Sequence, residues 1–262
     1  MRLATFNILS GRTVGEKRAD LGRYADAVRS LDADVLALQE VDRGQRRSRG
    51  ADLTTVAAEA MGATHHAFVP ALVGTPGSAW RAAGRDDASA ATAYGIALLS
   101  RLPVRAWHVL RLSPAPGRAP YRWPGATRPT LVRDEPRVAL AAELDGLTVV
   151  ATHLTFLPYW NGRQLRRLAT AMLSLPGPRV LTGDLNMEPG AAHRLTGMRP
   201  LASHLTFPAD QPVVQIDHVL TAGGLHATHT EARQLPMSDH RALVVDLDLR
   251  AAGNGSPESR TS

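Results

Sequence analysis

Short apolar runs along this chain repeatedly end on a polar side chain. Leu3-Ala4-Thr5-Phe6 closes on Asn7, and Val35-Leu36-Ala37-Leu38-Gln39 closes on Glu40. Thr148-Val149-Val150-Ala151-Thr152 closes on His153, while Val180-Leu181-Thr182-Gly183 leads to Asp184 and then Asn186. Val213-Val214-Gln215-Ile216 leads to Asp217, and Asp239-His240 stands just before Ala242-Leu243-Val244-Val245. Apolar runs of this length predict buried strands. A polar residue at the mouth of one strand is ordinary. The same event at six separated points predicts that the strands end around one site.

Between the runs the apolar spacing turns helical. Leu21, Tyr24, Ala25, Val28 and Leu31 predict a helix near 19–31, and Leu165, Leu168, Ala169 and Met172 a helix near 161–174. Shorter helices are expected near 52–61 and 189–195. Strands are expected near 2–8, 34–41, 66–72, 94–100, 104–112, 137–144, 147–154, 179–184, 213–220, 226–233 and 242–249. Asp145-Gly146 is a two-residue hairpin signal between two of them. The Gly/Ala/Ser/Asp-rich stretch 73–93 reads as an excursion. The six prolines of 113–136 exclude a helix or a central strand there. Antiparallel pairing mixed with recurring helices fits two packed sheets with helices outside better than a purely parallel doubly wound sheet. One domain over 1–249 is expected, with a small, polar, disordered tail at 250–262.

Composition narrows the chemistry. The 262 residues include no cysteine, which excludes disulfides, thiolate metal sites and a cysteine nucleophile. Net charge is +6, and Lys17 is the only lysine, so the basic charge is almost all arginine. GC-rich coding and attraction to a polyanion both account for that. No apolar run is long enough to span a membrane and no signal pattern opens the chain, so a cytoplasmic protein is expected, and a monomer. The Gly-x-Ser-x-Gly elbow, the Gly-x-x-x-x-Gly-Lys loop and the His-Glu-x-x-His zinc helix are missing.

The polar strand ends themselves suit a hard divalent cation and phosphate ester chemistry. Glu40 can hold a metal from the sheet rim. Asp184 and Asn186, alternate residues on extended backbone, can point into one pocket, one accepting a proton from water and the other holding a phosphate oxygen. His153 can protonate or hydrogen-bond a leaving oxygen. Asp217, separated from Asp239-His240 by an expected hairpin, can fix the tautomer of His240 and leave Asp239 for metal or water. His218 alternates to the opposite strand face. His65-His66, His226 and His229 lack a consistent ligand pattern. Each residue alone is also what a solvated strand end or a structural histidine looks like.

Taken in order, Thr5-Phe6-Asn7, Leu38-Gln39-Glu40-Val41, Tyr94 through Arg101, Ala151-Thr152-His153-Leu154, Thr182-Gly183-Asp184-Leu185-Asn186, Ile216-Asp217-His218-Val219 and Ser238-Asp239-His240 resemble the endonuclease/exonuclease/phosphatase superfamily. The resemblance covers roughly residues 1–249. It is nearest to the pancreatic-type deoxyribonuclease and neutral sphingomyelinase branches, because His153 and Asn7-Ile8-Leu9 depart from the apurinic endonuclease pattern. It implies a four-layer α/β sandwich and a divalent cation, Mg2+ or Mn2+. It implies Asn7, Glu40 and Asp239 as metal-side residues. His153, Asp184, Asn186, Asp217 and His240 become the catalytic set.

The expected reaction is in-line attack of an activated water on a phosphodiester, with Arg137 and Arg163 as candidate phosphate contacts. Candidate substrates are nucleic acid, or a smaller ester such as a phospholipid headgroup or inositol phosphate. The loops 113–136 and 156–160 offer aromatics to a lipid surface or a base. A phosphatase or phospholipase C-type enzyme is the alternative, and a non-catalytic binding protein the remote one.

Overall fold

The computed structural model describes residues 1–123 and 126–249. The tail expected to be disordered lies outside them. Fifteen strands follow in chain order among the described residues: β1 (Arg2–Asn7), β2 (Val35–Arg43), β3 (His65–Gly74), β4 (Trp80–Ala82), β5 (Ala93–Ser100), β6 (Ala106–Leu112), β7 (Arg118–Tyr121), β8 (Thr130–Arg133), β9 (Arg137–Leu144), β10 (Leu147–His153), β11 (Arg179–Asp184), β12 (Arg199–Pro200), β13 (Asp217–Ala222), β14 (His226–Arg233) and β15 (Ala242–Asp248). The helices are α1 (Leu21–Leu31), α2 (Leu53–Met61), α3 (Trp160–Met172) and α4 (Pro189–Thr196).

The strands form a seven-stranded sheet, β14-β15-β1-β2-β5-β3-β4, and a six-stranded sheet, β12-β13-β11-β10-β9-β6. Each contains one parallel pair, β1–β2 or β10–β11, and is otherwise antiparallel. Strand alternation assigns the layers. Val35 and Ala37 face inward, joining Leu3, Leu98, Leu140, Val149, Val180 and Val219 between the sheets. Leu36 and Leu38 face outward beneath Tyr24, Val28, Leu31 and Ala57 of α1 and α2. On the other sheet Val150, Leu181 and Leu220 pack under Leu165, Leu168 and Met172 of α3. The result is the four-layer α/β sandwich. Among the described residues no helix is long and apolar enough to cross a membrane.

Helix ends follow local rules. The Asp20 carboxylate accepts from the Arg23 N–H at the start of α1, and that of Asp52 from the Thr54 N–H at the start of α2. Gly62 closes α2 in the left-handed region at φ 70°.

Four local expectations change. The 73–93 excursion contains β4 and a 3-10 turn, Arg85–Ser89. The proline-rich segment carries a two-stranded ribbon, β7–β8, which belongs to neither large sheet. Asp217 opens its strand rather than closing one, because residues 213–216 have only an isolated bridge, Phe207 to Val214. β13 runs antiparallel to β11, so its beginning has to meet the end of β11, with Asp217 opposite Asp184. The hairpin between Asp217 and Asp239 is also different: β13 lies in the six-stranded sheet and β14 in the seven-stranded one.

Candidate active site

One rim of the sandwich collects the polar residues. The C-terminal ends of β1, β2, β10 and β11 meet there, with the N-terminal ends of β9, β13 and β15, which run antiparallel to them. Asn7, Glu40, His153, Asp184, Arg137, Asp217 and His240 thereby share an edge. Among the described residues, five of the eight non-glycine residues with positive φ also lie on this rim: Leu9, Ser10, Glu40, Asn186 and Ser238. Backbone held in sparsely populated regions is a mark of functional edges.

Asp184 is at the centre. Its Oδ2 accepts from Asn7 Nδ2 at 3.1 Å and lies 3.5 Å from His153 Nε2 and 3.8 Å from His240 Nε2. Its Oδ1 accepts from the Asn186 N–H at 2.9 Å. That bond shows how Asn186 arrives: at φ 50° it has left the extended region, so a side-chain-closed turn, not strand alternation, brings it into the pocket. Asn186 Nδ2 donates to the Leu154 carbonyl at 3.0 Å and lies 3.4 Å from His153 Nε2. Burial, then the Asp217 charge, pushes the Asp184 carboxyl up to about 7.

The two imidazoles are in opposite states. Arg137, 5% exposed, donates through Nη1 to His153 Nδ1 at 3.3 Å. Guanidinium only donates, so that nitrogen carries the lone pair and Nε2 carries the hydrogen, facing Asp184. Burial, Arg137 and His240 all hold the His153 pKa well below its usual value. His240 Nδ1 instead meets Asp217 Oδ2 at 2.9 Å. Burial opposes the imidazolium, but the charge and hydrogen bond of Asp217, then Asp184 and Asp239, outweigh it and raise His240 to about 10. A neutral ring and a charged ring therefore face one carboxylate.

Glu40 is half-buried at φ 57°, where the β2–β5 register shifts between Leu38 and Val41. That bulge turns its carboxylate toward Asn7, whose Nδ2 lies 3.2 Å from Oε1. Burial raises its pKa, and Asp239 adds to the rise. Asp184, Asp217 and His240 also offer donor atoms within 4.8 Å of one another. In that trio, however, His240 Nδ1 and Asp217 Oδ2 already face each other as donor and acceptor. Glu40, Asp239 and Asp184 offer carboxylate oxygens and Asn7 an amide oxygen, which accepts from the Leu9 N–H at 3.2 Å, and burial is the largest cause of the raised Glu40 and Asp184 carboxyls. That donor set fits a hard divalent cation.

Arg163 is the candidate not drawn into the cluster. It is exposed on α3, with its guanidinium 5.3 Å from the centre of the Trp160 ring and 5.9 Å from that of Tyr159. His218 is buried and bonds the Met187 carbonyl at 2.8 Å. Sequence reasoning missed three supports. Asn161 Nδ2 donates to the Asn186 carbonyl at 2.8 Å. Ser238 Oγ donates to the Asn7 carbonyl at 2.6 Å and accepts from the His240 N–H at 3.1 Å. Phe207 packs against the His240 ring at 4.9 Å. Ser238 stood in a quoted motif, whereas nothing in the sequence marks Asn161 or Phe207.

A sandwich of this kind, with acids, amides and imidazoles gathered on one rim, has the build of a phosphate-ester hydrolase. The chain belongs to the Endonuclease/Exonuclease/phosphatase family, whose profile matches residues 4–240. Members of this family are phosphoester hydrolases. Among solved structures it is similar to an endonuclease/exonuclease/phosphatase from Beutenbergia cavernae (20% identity, 94% of this chain and 71% of that one, TM-score 0.66). It is also similar to a mannosyl-6-phosphatase from Bacteroides thetaiotaomicron (16%, 95% and 99%, TM-score 0.59). A third is sphingomyelinase C from Streptomyces griseocarneus (15%, 94% and 98%, TM-score 0.59). No curated protein matches at the sequence level.

Proposed function

We propose that the protein is a divalent-metal-dependent phosphodiesterase that cleaves its substrate by in-line attack of water, with nucleic acid as the first substrate to test. The observation that carries this reading is the Asp184 carboxylate placed between His153 at 3.5 Å and His240 at 3.8 Å. A carboxyl with a pKa of about 7 is suited to orient water and take its proton near neutrality. The His240 imidazolium, held by Asp217, opposes the negative charge that develops on the phosphoryl oxygens. His153 remains neutral and donates from Nε2 to the leaving oxygen. Asn186 and the buried Arg137, whose Nε has no partner, supply further donors for non-reacting oxygens. Asn7, Glu40 and Asp239 form the metal side, and Mg2+ or Mn2+ there would neutralise phosphate charge and lower the pKa of bound water.

The second reading is a phosphatase or phospholipase C-type hydrolase of a smaller ester. It is favoured by Tyr121, Trp123 and Phe156, whose ring centroids lie 4.7 to 5.5 Å apart with Tyr121 edge-on to the other two, Phe156 being three residues beyond His153. A magnesium-dependent hydrolysis screen decides between them, using plasmid DNA, RNA, sphingomyelin and inositol phosphates, with Asp184→Ala as control. Chelator-sensitive nicking by the native protein alone supports the nuclease. Headgroup or phosphate release with inert plasmid supports the second reading. Equal activity in the Asp184→Ala variant would remove the site assignment altogether.

A further inference from the structure

On the rim beside His153, α3 and the chain leaving β6 border a half-open cleft of about 360 Å³, lined by Ser113, Trp160, Gln164 and the exposed Arg163, Arg166 and Arg167. Three guanidinium groups at i, i+3 and i+4 occupy one side of the helix, where like charges repel. Nine other arginines, Arg2, Arg23, Arg29, Arg43, Arg47, Arg81, Arg101, Arg105 and Arg233, each meet a carboxylate, while others among the described residues, such as Arg18 and Arg46, do not. The side chains of Arg166 and Arg167 make no hydrogen bond or ion pair among the described residues. The chain from Gly146 to Gly183 has no Asp or Glu to offer them. A solvated basic helix face would need neither a walled cleft nor this depletion of acids.

The cleft is also built rather than incidental. Gln164 is 4% exposed and clamps its two walls. Its Oε1 accepts from the Thr155 N–H at 2.9 Å, and its Nε2 donates to the Ser113 carbonyl at 3.0 Å. Thr155 Oγ1 in turn donates to Asp134 Oδ1 at 2.6 Å, and Asp134 Oδ2 accepts from the Ala115 N–H at 2.7 Å. The loop after His153, the chain after β6 and α3 are thus locked together. Leu112, the residue before Ser113, pairs in register with Arg137, which touches His153.

We infer that this cleft holds a second phosphate group of the substrate, away from the ester that is cleaved. Arg166 and Arg167 grip its oxygens in the forked geometry that guanidinium offers phosphate. Arg163, held over Trp160 and Tyr159, closes the side nearest the helix start, and the Trp160 ring covers the carbon skeleton that joins the two phosphates. The inference rests on the phosphate-ester reading above and narrows it to substrates with more than one phosphate.

The test is calorimetric titration of inorganic pyrophosphate in EDTA at moderate salt, which needs no catalysis. The native protein, Asp184→Ala and a charge-matched Arg18→Ala/Arg46→Ala control are expected to bind alike. Arg166→Ala/Arg167→Ala is expected to bind roughly tenfold or more weakly. Bis(p-nitrophenyl) phosphate, which has one phosphate, should be hydrolysed equally by the native protein and by that double variant. Equal pyrophosphate affinity in the double variant, or equal weakening in the control pair, overturns the second site. Absence of bis(p-nitrophenyl) phosphate hydrolysis by the native protein would count against the catalytic reading alone, since the binding result stands apart from it.

Discussion

Asp217 has one oxygen on the His240 ring and the other, Oδ1, buried without a partner. Its charge is what keeps a buried imidazole protonated, against a desolvation that favours the neutral form. Asp217→Asn keeps the shape and removes the charge. The His240 pKa should then fall from about 10 to below neutrality, and kcat should drop on the order of 10²–10⁴-fold, as for other carboxylate–imidazole pairs. Nitrogen NMR of the ring at pH 8 checks the first part; a ring still doubly protonated in the variant would refute it. Arg137 is a separate case. Its Nη1 is committed to His153, while its Nε is buried and unsatisfied, a state that a phosphate oxygen would relieve. Arg137→Met should lower kcat/KM by roughly 10²-fold, with Arg137→Lys recovering only part, because lysine presents a point charge and not a fork. Steady-state kinetics of the two variants, with circular dichroism to confirm folding, is the measurement.

At the scale of elements, the site depends on the register between β10 and β11, which sets His153 beside Asp184. Gly183 makes that register possible. Its φ is 133°, and a Cβ there would stand 1.9 Å from the Thr152 carbonyl oxygen. Gly183→Ala must therefore spread the two strands or rebuild the turn. We expect a loss of about 2–4 kcal/mol in stability and a larger loss of activity than of structure, read by denaturant unfolding and by kcat. This also explains what the sequence could and could not reveal. The apolar runs and their polar ends were legible because burial imposes a strict two-residue alternation, visible in Val35 through Leu38. The path of the chain just beyond each end was not. Asn186 reaches the pocket through a left-handed turn, Glu40 through a bulge, and Asp217 from the start of its strand. Each is decided by partners far away in the chain, such as Asp184 across from Asp217. The β7–β8 ribbon was hidden for another reason: its prolines argue against a central strand but do not forbid a two-stranded edge.

For the whole molecule, two packed sheets bring four carboxylates and two imidazoles to one rim, and the protonation of its buried groups becomes part of the stability of the fold. Asp184 at about 7 and His240 at about 10 both lie above their unfolded values of about 3.9 and about 6.5. Both groups bind protons more tightly folded than unfolded. Their contributions are fully present below the unfolded pKa and are lost as pH rises through the folded one. Metal-free protein should lose stability from Asp184 between about pH 4 and pH 7, and from His240 between about pH 6.5 and pH 10. On the proposed reading a divalent cation would act in the opposite sense, because it would sit against an ionised Glu40 and favour loss of the proton from neighbouring Asp184. The rise in melting temperature on adding Mg2+ should therefore be larger at pH 8.5 than at pH 6. Asp217→Asn should flatten the limb between pH 6.5 and pH 10 in EDTA, since its His240 no longer gains a charged partner. Thermal melts across this range, with and without Mg2+, test both statements. A magnesium effect that is the same at every pH would show that the cation does not draw on these carboxylates.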